Sequence, residues 1–380
     1  MKIGIDASRS ISGGALEHLR GILLHPSFNK KKIKKVYLWA PSSTLIRLPS
    51  YSWLEKISTN FLEKFFFKKY IWQLYTLPKL CKKLNINLLF NTSASSLCYF
   101  RPSVTLLQNI LPFEKEIISK FKFYQISFFK NFILRLVFIR CLKNTSHTIF
   151  LSKYSKKITN NFIKIKNYSI IPHGVDKSFY KVNYKKITKK KNYTINALYV
   201  SNALIYKNQW NVIAAIAEIR KRYRINIKLK IVGGGSGLAL KKMNLSKLKY
   251  DKNDKFVNLR GFETKNKIKR HYQNSNIFIF ASSCESFGIS LLEAMSTGIP
   301  IACSSKSSLP EIIKNNTVFF NPENIEEIII SIMKILTNNR LRNNISKGAK
   351  NRSKYYTWEK FSKLTWLTLY KVYRLNHLMK

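Results

Sequence analysis

Short apolar runs that break at glycine- or serine-containing turns and then enter helical patterns recur along this chain, and the sharpest instance lies between Ile277 and Pro300. There Ile277 to Phe280 reads as a buried strand, Cys284 to Gly288 as a loop, and Ser290 to Thr297 as a short helix stopped by Gly298 and Pro300. A strand that passes through a loop into a helix is the repeating unit of a parallel, doubly wound sheet. The same alternation gives strand candidates at residues 2–5, 35–39, 87–90, 104–108 and 148–152, and again at 197–201, 228–232, 256–259, 277–281 and 300–303. A chain of 380 residues exceeds what one core usually organises, so two α/β domains are expected. No solenoid-type repeat is present in the sequence.

The loop and helix after residue 280 carry two carboxylates eight residues apart, Glu285 and Glu293. Glu285 falls in the loop and Glu293 in the first turns of the helix. Backbone N–H groups from Ser286 to Leu291 have no helical partner and point into the same crevice, where unpaired donors and the helix dipole favour a phosphate. Spacing alone decides little: 14 Glu in 380 residues supply roughly half of one such pair by chance, and Glu55 and Glu63 form a second. That second pair flanks a run with no glycine and no strand-to-helix turn, so it reads as surface charge. Ser290-x-x-Glu293 also fits a capping box, in which the Glu bonds only a backbone donor. Both readings of Glu293 stand at the level of spacing.

The order of the remaining motifs breaks the tie. Ile3-Gly4-Ile5-Asp6 is followed by Gly13-Gly14 and Glu17-His18-Leu19; Ile171-Pro172-His173-Gly174-Val175-Asp176 precedes Phe179; Leu198 to Trp210 contains Tyr206-Lys207-Asn208-Gln209; then come Lys230 to Gly235, Leu259-Arg260-Gly261-Phe262, the two-glutamate stretch and Leu309-Pro310-Glu311. In that order the chain resembles the retaining glycosyltransferases of family 4, with nearest likeness to bacterial surface-polysaccharide and O-antigen type members. The resemblance implies the GT-B fold: two Rossmann-like α/β domains facing across a cleft. It divides the chain into an acceptor-binding domain, 1–172, a nucleotide-sugar domain, 173–355, and a C-terminal helix, 356–380, that crosses back to the first domain. In that last segment Trp358, Phe361, Leu364, Thr365, Leu367, Leu369 and Val372 outline an amphipathic helix.

What the resemblance implies chemically is transfer of a hexose, with retention of configuration, from a nucleoside diphosphate sugar to a glycan, with a lipid-linked surface-polysaccharide intermediate as acceptor and a mannosyl donor as the first guess. A leaving diphosphate must be neutralised, the ribose and sugar hydroxyls held, and water excluded. Lys207 matches the family's loop lysine and is placed on the diphosphate as a mobile point charge. Glu293 matches the ribose-binding carboxylate, and Glu285 the carboxylate near the donor sugar, with the Phe287, Gly288 and Leu291 amides beside it. Gly13 and Gly14 let backbone approach the diphosphate, and Gly261 and Phe262 border the base. His18, next to the glycine loop, is a candidate contact to donor or acceptor, weighed against a structural role. His173 is expected to shape the domain crossing.

Two departures from the family pattern bear on mechanism. Asn202 stands where many members carry an arginine beside the loop lysine, which leaves Lys207 alone unless Arg260 substitutes. Gln108 and Asn109 stand where many relatives place His-Asp. Neither amide takes a proton, which argues against a general base there and leaves the two to hydrogen-bond sugar or acceptor. A metal is not expected: four Asp and no Asp-x-Asp pair offer no site for a divalent ion on a diphosphate, and no other cofactor is indicated. Val232 to Gly237 is no P-loop, because no Gly-Lys-Ser/Thr follows.

The formal charge of +50, with 68 Lys and Arg against 18 Asp and Glu, is the second constraint. Such a surface attracts polyanions, among them anionic lipid and pyrophosphate-linked substrates. Basic residues gather with aromatics at Lys30-Lys31-Lys32 with Lys34-Lys35, at residues 61–70, and at 114–143, where Lys120, Lys122, Lys130, Arg135, Arg140 and Lys143 interrupt Phe121, Phe123, Phe128, Phe129, Phe132 and Phe138. That is the composition of an interfacial helix, so docking of the acceptor domain on an anionic leaflet is expected. The lysine-rich stretch 181–191 reads as an exposed connector or insertion. No secretory signal or membrane span is visible, so a cytoplasmic enzyme, peripheral on the inner face of the membrane, is expected. Cys81, Cys98, Cys141, Cys284 and Cys303 lack C-x-x-C spacing and indicate neither disulfides nor zinc. The competing class is a non-catalytic protein on the same fold that binds RNA or another polyanion through its charge and rings. Glu285 and Glu293 would serve no purpose there, and no specific nucleic-acid partner is expected.

Overall fold

A computed structural model of the chain describes residues 1–11, 13–28, 32–63, 66–119, 126–188 and 193–378. Of the basic and aromatic clusters, Lys30, Lys31, Lys64, Phe65, Lys120, Phe121, Lys122 and Phe123 lie outside the described residues, as do 189–191 of the lysine-rich stretch. The chain forms two compact units, residues 1–174 with 357–380, and residues 175–356.

The first unit holds a seven-stranded parallel sheet: β1 (Lys2–Asp6), β2 (Lys35–Trp39), β3 (Leu54–Ile57), β4 (Leu88–Asn91), β5 (Ser103–Leu107), β6 (His147–Phe150) and β7 (Tyr168–Ile170), in the order β3-β2-β1-β4-β5-β6-β7. The second unit holds six parallel strands, β8 (Ile195–Val200), β9 (Ile227–Val232), β10 (Val257–Arg260), β11 (Ile277–Phe280), β12 (Ile301–Ser304) and β13 (Val318–Phe320), in the order β10-β9-β8-β11-β12-β13. The interior strands β4, β5, β11 and β12 are buried along their whole length, as apolar runs covered by helices on both faces must be. Two such doubly wound units are the building blocks of the GT-B fold. The strands that apolar runs did not disclose, β3, β7 and β13, all lie at sheet edges. An edge strand is half solvated, so its run is short or broken by charge, as Leu54-Glu55-Lys56-Ile57 is.

The last helix, Trp358–Leu378, belongs to the first unit. Its buried face is Trp358, Phe361, Thr365, Trp366, Leu369 and Val372, whereas Leu364 and Leu367 are exposed. The sequence reading therefore missed Trp366 and overextended the stripe. The Trp366 indole donates to the Ile22 carbonyl (3.3 Å), and Ser362 Oγ donates to the Ile22 (3.0 Å) and His25 (2.6 Å) carbonyls at the end of the helix Gly13–Leu24. Gly174 is required beside that helix, because a Cβ there would lie 2.2 Å from the Trp358 backbone nitrogen. In the second unit the Val175 N–H donates to the Tyr356 carbonyl (3.0 Å), tying together its first and last residues.

Candidate active site

In the second unit the strand order reverses at β8, with β9 and β10 on one side and β11 to β13 on the other. Ligands of open parallel sheets bind beyond the carboxyl ends of strands at such a reversal. The loops after β8 and β11 meet there. After β8 the chain turns through a short 3-10 segment, Ile205–Lys207, into Asn208, whose φ of 50° is left-handed. Asn tolerates that conformation and uses its side chain locally. Asn208 Nδ2 donates to the Ala281 carbonyl (3.0 Å) and to Ser283 Oγ (2.8 Å), and the Ser283 N–H donates to the Tyr206 carbonyl (2.7 Å). The Tyr199 hydroxyl bonds the Lys207 carbonyl from beneath.

So held, the Lys207 ammonium donates to Glu285 Oε1, with side chains only 11% and 14% exposed. The rings of Tyr206 and Phe280 lie 5.3 and 5.5 Å from the ammonium, close enough for a cation–π contribution. Glu285 is fixed in turn by Ser307, whose hydroxyl accepts from the Glu285 N–H (2.8 Å) and donates to the Glu285 carbonyl (2.7 Å). Burial, with Glu285 adding its charge, pushes the Tyr199 phenol well above its ordinary range; burial and neighbouring Cys284 and Glu285 do the same for Tyr206. Both are fixed as neutral hydroxyls.

The helix Ile289–Thr297 starts beyond Gly288, whose φ of 93° excludes other residues without strain. Its first intrahelical bond runs from the Leu292 N–H to the Gly288 carbonyl, so the amides of Ile289, Ser290 and Leu291 precede the ladder. The capping-box reading of Ser290 and Glu293 is corrected: Gly288 is the N-cap, no side chain caps the helix, and Ser290 lies inside it with its carbonyl accepting from the Tyr272 hydroxyl (3.0 Å). Glu293 is half-buried in the second turn. Burial first and Glu293 second raise the Tyr272 phenol.

The other sequence-predicted positions divide. Phe287 and Leu291 are buried side chains, Phe287 against Tyr356 at 5.4 Å, so neither side chain can meet a ligand. Phe262 is 74% exposed, and its ring lies over Gly234, where a Cβ would sit 2.2 Å from it; Gly261 is open. Gly234 thus has a use that a strand-end turn alone does not explain. Asn202 is exposed, and Arg260 stands at the end of β10, two strands from β8, about 10 Å away. In the first unit Gly13, with φ 59°, and Gly14 are exposed at the start of their helix. Gln108 Nε2 donates to the Thr92 carbonyl (3.0 Å) and Asn109 Oδ1 accepts from the Leu111 N–H (3.0 Å), so both amides already serve their own loop. The reading of His18 as a contact to donor or acceptor is corrected. Its ring has no exposure, packs against His173, Phe361 and Phe90, and both nitrogens lack hydrogen-bond partners. Burial, and then the nearby His173, hold it neutral.

Glu55 and Glu63 are surface charges, paired with Lys35 (3.1 Å) and with the Ser42 N–H (2.7 Å) respectively. All five cysteines are buried free thiols, and burial pushes Cys98 and Cys141 up to about 12. No group of metal-ligating side chains occurs among the described residues. Sequence reasoning missed Tyr199, Ser283 and Ser307 as the groups that position the Lys207–Glu285 pair. Ser307 adopts φ 65°, which no local signal announces.

Comparison with known proteins agrees with this architecture. Residues 181–352, which lie within the second unit, match the family model described as glycosyl transferases group 1. Among curated relatives, the alpha-monoglucosyldiacylglycerol synthase of Acholeplasma laidlawii is 28% identical over 224 residues, 55% of this chain and 54% of that protein. The chain thus matches about half the length of that relative. Among solved structures, sucrose-phosphate synthase from Thermosynechococcus elongatus has a TM-score of 0.78 at 15% identity over 100% of both chains. HepE of Anabaena, in complex with UDP and glucose, has a TM-score of 0.72 at 17% identity, covering 97% of this chain and 99% of its own.

Proposed function

We propose that the protein is a retaining glycosyltransferase of family 4 that moves a hexose from a nucleoside diphosphate sugar to a glycan acceptor carried on lipid, as in bacterial surface-polysaccharide assembly. The observation that carries this reading is the Lys207–Glu285 pair, seated at the strand-order reversal beside the unpartnered amides of the helix Ile289–Thr297. Lys207 neutralises the leaving diphosphate together with those amides, Glu293 accepts from the ribose hydroxyls, and Glu285 holds the donor sugar. Because a fixed ammonium and a helix N-terminus supply the positive charge, the reaction runs without a metal, and activity persists in chelator. The relative from Acholeplasma is named for a glucosyl lipid product, and HepE is described with UDP, which supports a lipid acceptor and a uridine diphosphate donor.

The acceptor side includes a membrane surface. On the helix Ile126–Asn144, Phe129, Phe132, Ile133 and Leu136 are exposed at helical spacing, with Lys130, Arg140 and Lys143 among them. No helix of the described residues is long and apolar enough to cross a membrane. A stripe of this kind lies in the headgroup region, where cationic chains meet anionic lipid.

Thermal stability of the wild type and Glu293→Ala with UDP, GDP, ADP and a short oligonucleotide, at low and moderate salt, tests the central claim. Native-state binding adds about 2.7 kcal/mol at a hundredfold excess over Kd. The expected result is a salt-tolerant shift with one diphosphate, lost in Glu293→Ala. Stabilisation by the oligonucleotide alone, and only at low salt, would sink the enzyme reading.

A further inference from the structure

The first unit has a strand-order reversal of its own, between β1 and β4. Beyond β1 run Ser8, Arg9 and Ser10, and beyond β4 runs the segment 92–96. Lys69 and Gln73 reach the same place from the helical stretch that follows residue 65. Asp6 ends β1, and its carboxylate accepts from the Ser8 N–H (3.1 Å), Gln73 Nε2 (2.7 Å) and Ser96 Oγ (3.1 Å), all uncharged donors. Lys69 is 8% exposed, and its ammonium donates to the Ser8 carbonyl at 3.3 Å. The Arg9 guanidinium is half-buried with its carbon 4.0 Å from the centre of the Tyr70 ring. Burial lowers the pKa of both cations, and Arg9 lowers that of Lys69 further. Arg9 and Lys69 thus neighbour each other largely out of water, with Tyr70 against Arg9, Glu63 and Asp6 acting on Lys69, and the Asp6 carboxylate bonded to uncharged donors. Beside them lie two bonded hydroxyl pairs, Ser10 with Thr92 (3.0 Å) and Ser93 with Ser95 (2.8 Å), buried except for Ser93.

A planar guanidinium, a point-charge ammonium and several hydroxyls at the carboxyl ends of parallel strands match a phosphoryl group better than they match any neutral ligand. We propose that Arg9 and Lys69 form a phosphoryl-binding site within the first unit, occupied during turnover by a phosphate of a transferase substrate. Only the name of that substrate rests on the transferase reading. The phosphoryl group comes either from the donor diphosphate or from a phosphate carried by the acceptor.

The test is calorimetric titration of the full chain with inorganic pyrophosphate at physiological ionic strength, in a Lys207→Ala background that removes the second unit's cation. Arg9→Gln and Lys69→Gln are expected to weaken binding about tenfold or more, and the exposed-lysine control Lys79→Gln to leave it unchanged. Equal effects in all three, or none, overturn the proposal. If Arg9→Gln or Lys69→Gln does not fold, Arg9→Lys and Lys69→Arg, which keep the charge and change the geometry, are read against Lys79→Gln. Repeating the titration on otherwise wild-type protein saturated with UDP separates the sources. Blocked pyrophosphate binding assigns the group to the donor, and an additional Arg9-dependent event assigns it to the acceptor. Loss of the UDP shift itself counts against the transferase reading and leaves this site standing. An intact UDP shift, with pyrophosphate binding indifferent to Arg9 and Lys69, counts against this site alone.

Discussion

The second unit keeps its most buried cation, Lys207, beside a carboxylate, whereas the first unit buries two imidazoles, His18 and His173, against each other and aromatic rings. Both arrangements solve the same problem of polar groups out of water. The second does so by pairing opposite charges at loop ends, where a ligand can exchange with one partner. The first does so by keeping the groups neutral inside a cluster of Phe90, Phe361 and Trp358. A charge that is paired at a strand-order reversal is available for binding, and a ring held neutral in a core is not.

The largest expected effect comes from breaking the pair. Lys207→Ala removes the cation proposed for the diphosphate and leaves Glu285 largely buried without it. Turnover should fall by about 10²- to 10³-fold, the loss typical of one preorganised electrostatic group. The same variant should destabilise the second unit by about 3 kcal/mol, as removal of one partner from a largely buried pair does. Steady-state kinetics with the donor identified by thermal shift, beside chemical denaturation, reads both. Turnover within threefold of wild type would remove Lys207 from the chemistry.

The first unit should break instead with acid. Burial lowers His173 to about 3 and His18 well below its ordinary value, while both titrate near 6.5 when unfolded. Between those limits the unfolded chain binds more protons than the folded one, so stability falls as pH drops from about 6.5, by up to about 1.4 kcal/mol per pH unit for each imidazole. Trp39, Trp53, Trp72, Trp358 and Trp366 lie in the first unit and Trp210 alone in the second, so tryptophan emission follows the first. His147, lowered by burial and by Lys371, adds to the same limb, so His18→Leu should reduce the pH slope above pH 4.5 by about a third to a half, where carboxylates contribute little. An unchanged slope would mean that these imidazoles do not set the acid limb.

The contrast also explains what the sequence disclosed. Interior strands such as β11 and β12, and the loop carrying Glu285, were legible because a parallel sheet demands continuous apolar runs and a ligand loop at a helix start demands glycine. Edge strands β3, β7 and β13 were not, since an edge tolerates charge. His18 misled because its neighbour Gly14 sits on an exposed turn, and one helical turn further the same helix faces the core. Lys69 escaped notice for the opposite reason: in a chain with 68 Lys and Arg, nothing local separates one buried lysine from the exposed ones. Ser307 and Asn208 act through left-handed backbone that only tertiary contacts impose.

A smaller effect belongs to the surface of the first unit. Replacing Phe132 and Ile133 together by Ser removes two exposed apolar side chains from the stripe and should lower the partition onto anionic vesicles about tenfold or more, with the UDP shift intact. Sedimentation with vesicles of mixed anionic and zwitterionic lipid measures it. Equal partition of variant and wild type would leave the attraction to charge alone and return the stripe to another use.

The smallest effect lies at the start of the second unit. Burial works to raise the Asp176 carboxyl, but bonds from Ser178 and the Lys265 ammonium (3.1 Å) outweigh it and hold it at about 2. A depressed carboxylate contributes stability above its unfolded value near 3.9, and that contribution is lost as pH falls toward 2. The side chain is 37% exposed, so screening reduces the benefit to about 1 kcal/mol. Asp176→Asn should therefore lower protection from hydrogen exchange in β9 and β10 by about that amount at pH 7, and less at high salt, while amides of β1 and β4 keep theirs. Since the acid limb of the first unit opens above the range in which Asp176 titrates, the two units should lose stability at separate pH values. Coincident loss would show that they unfold as one.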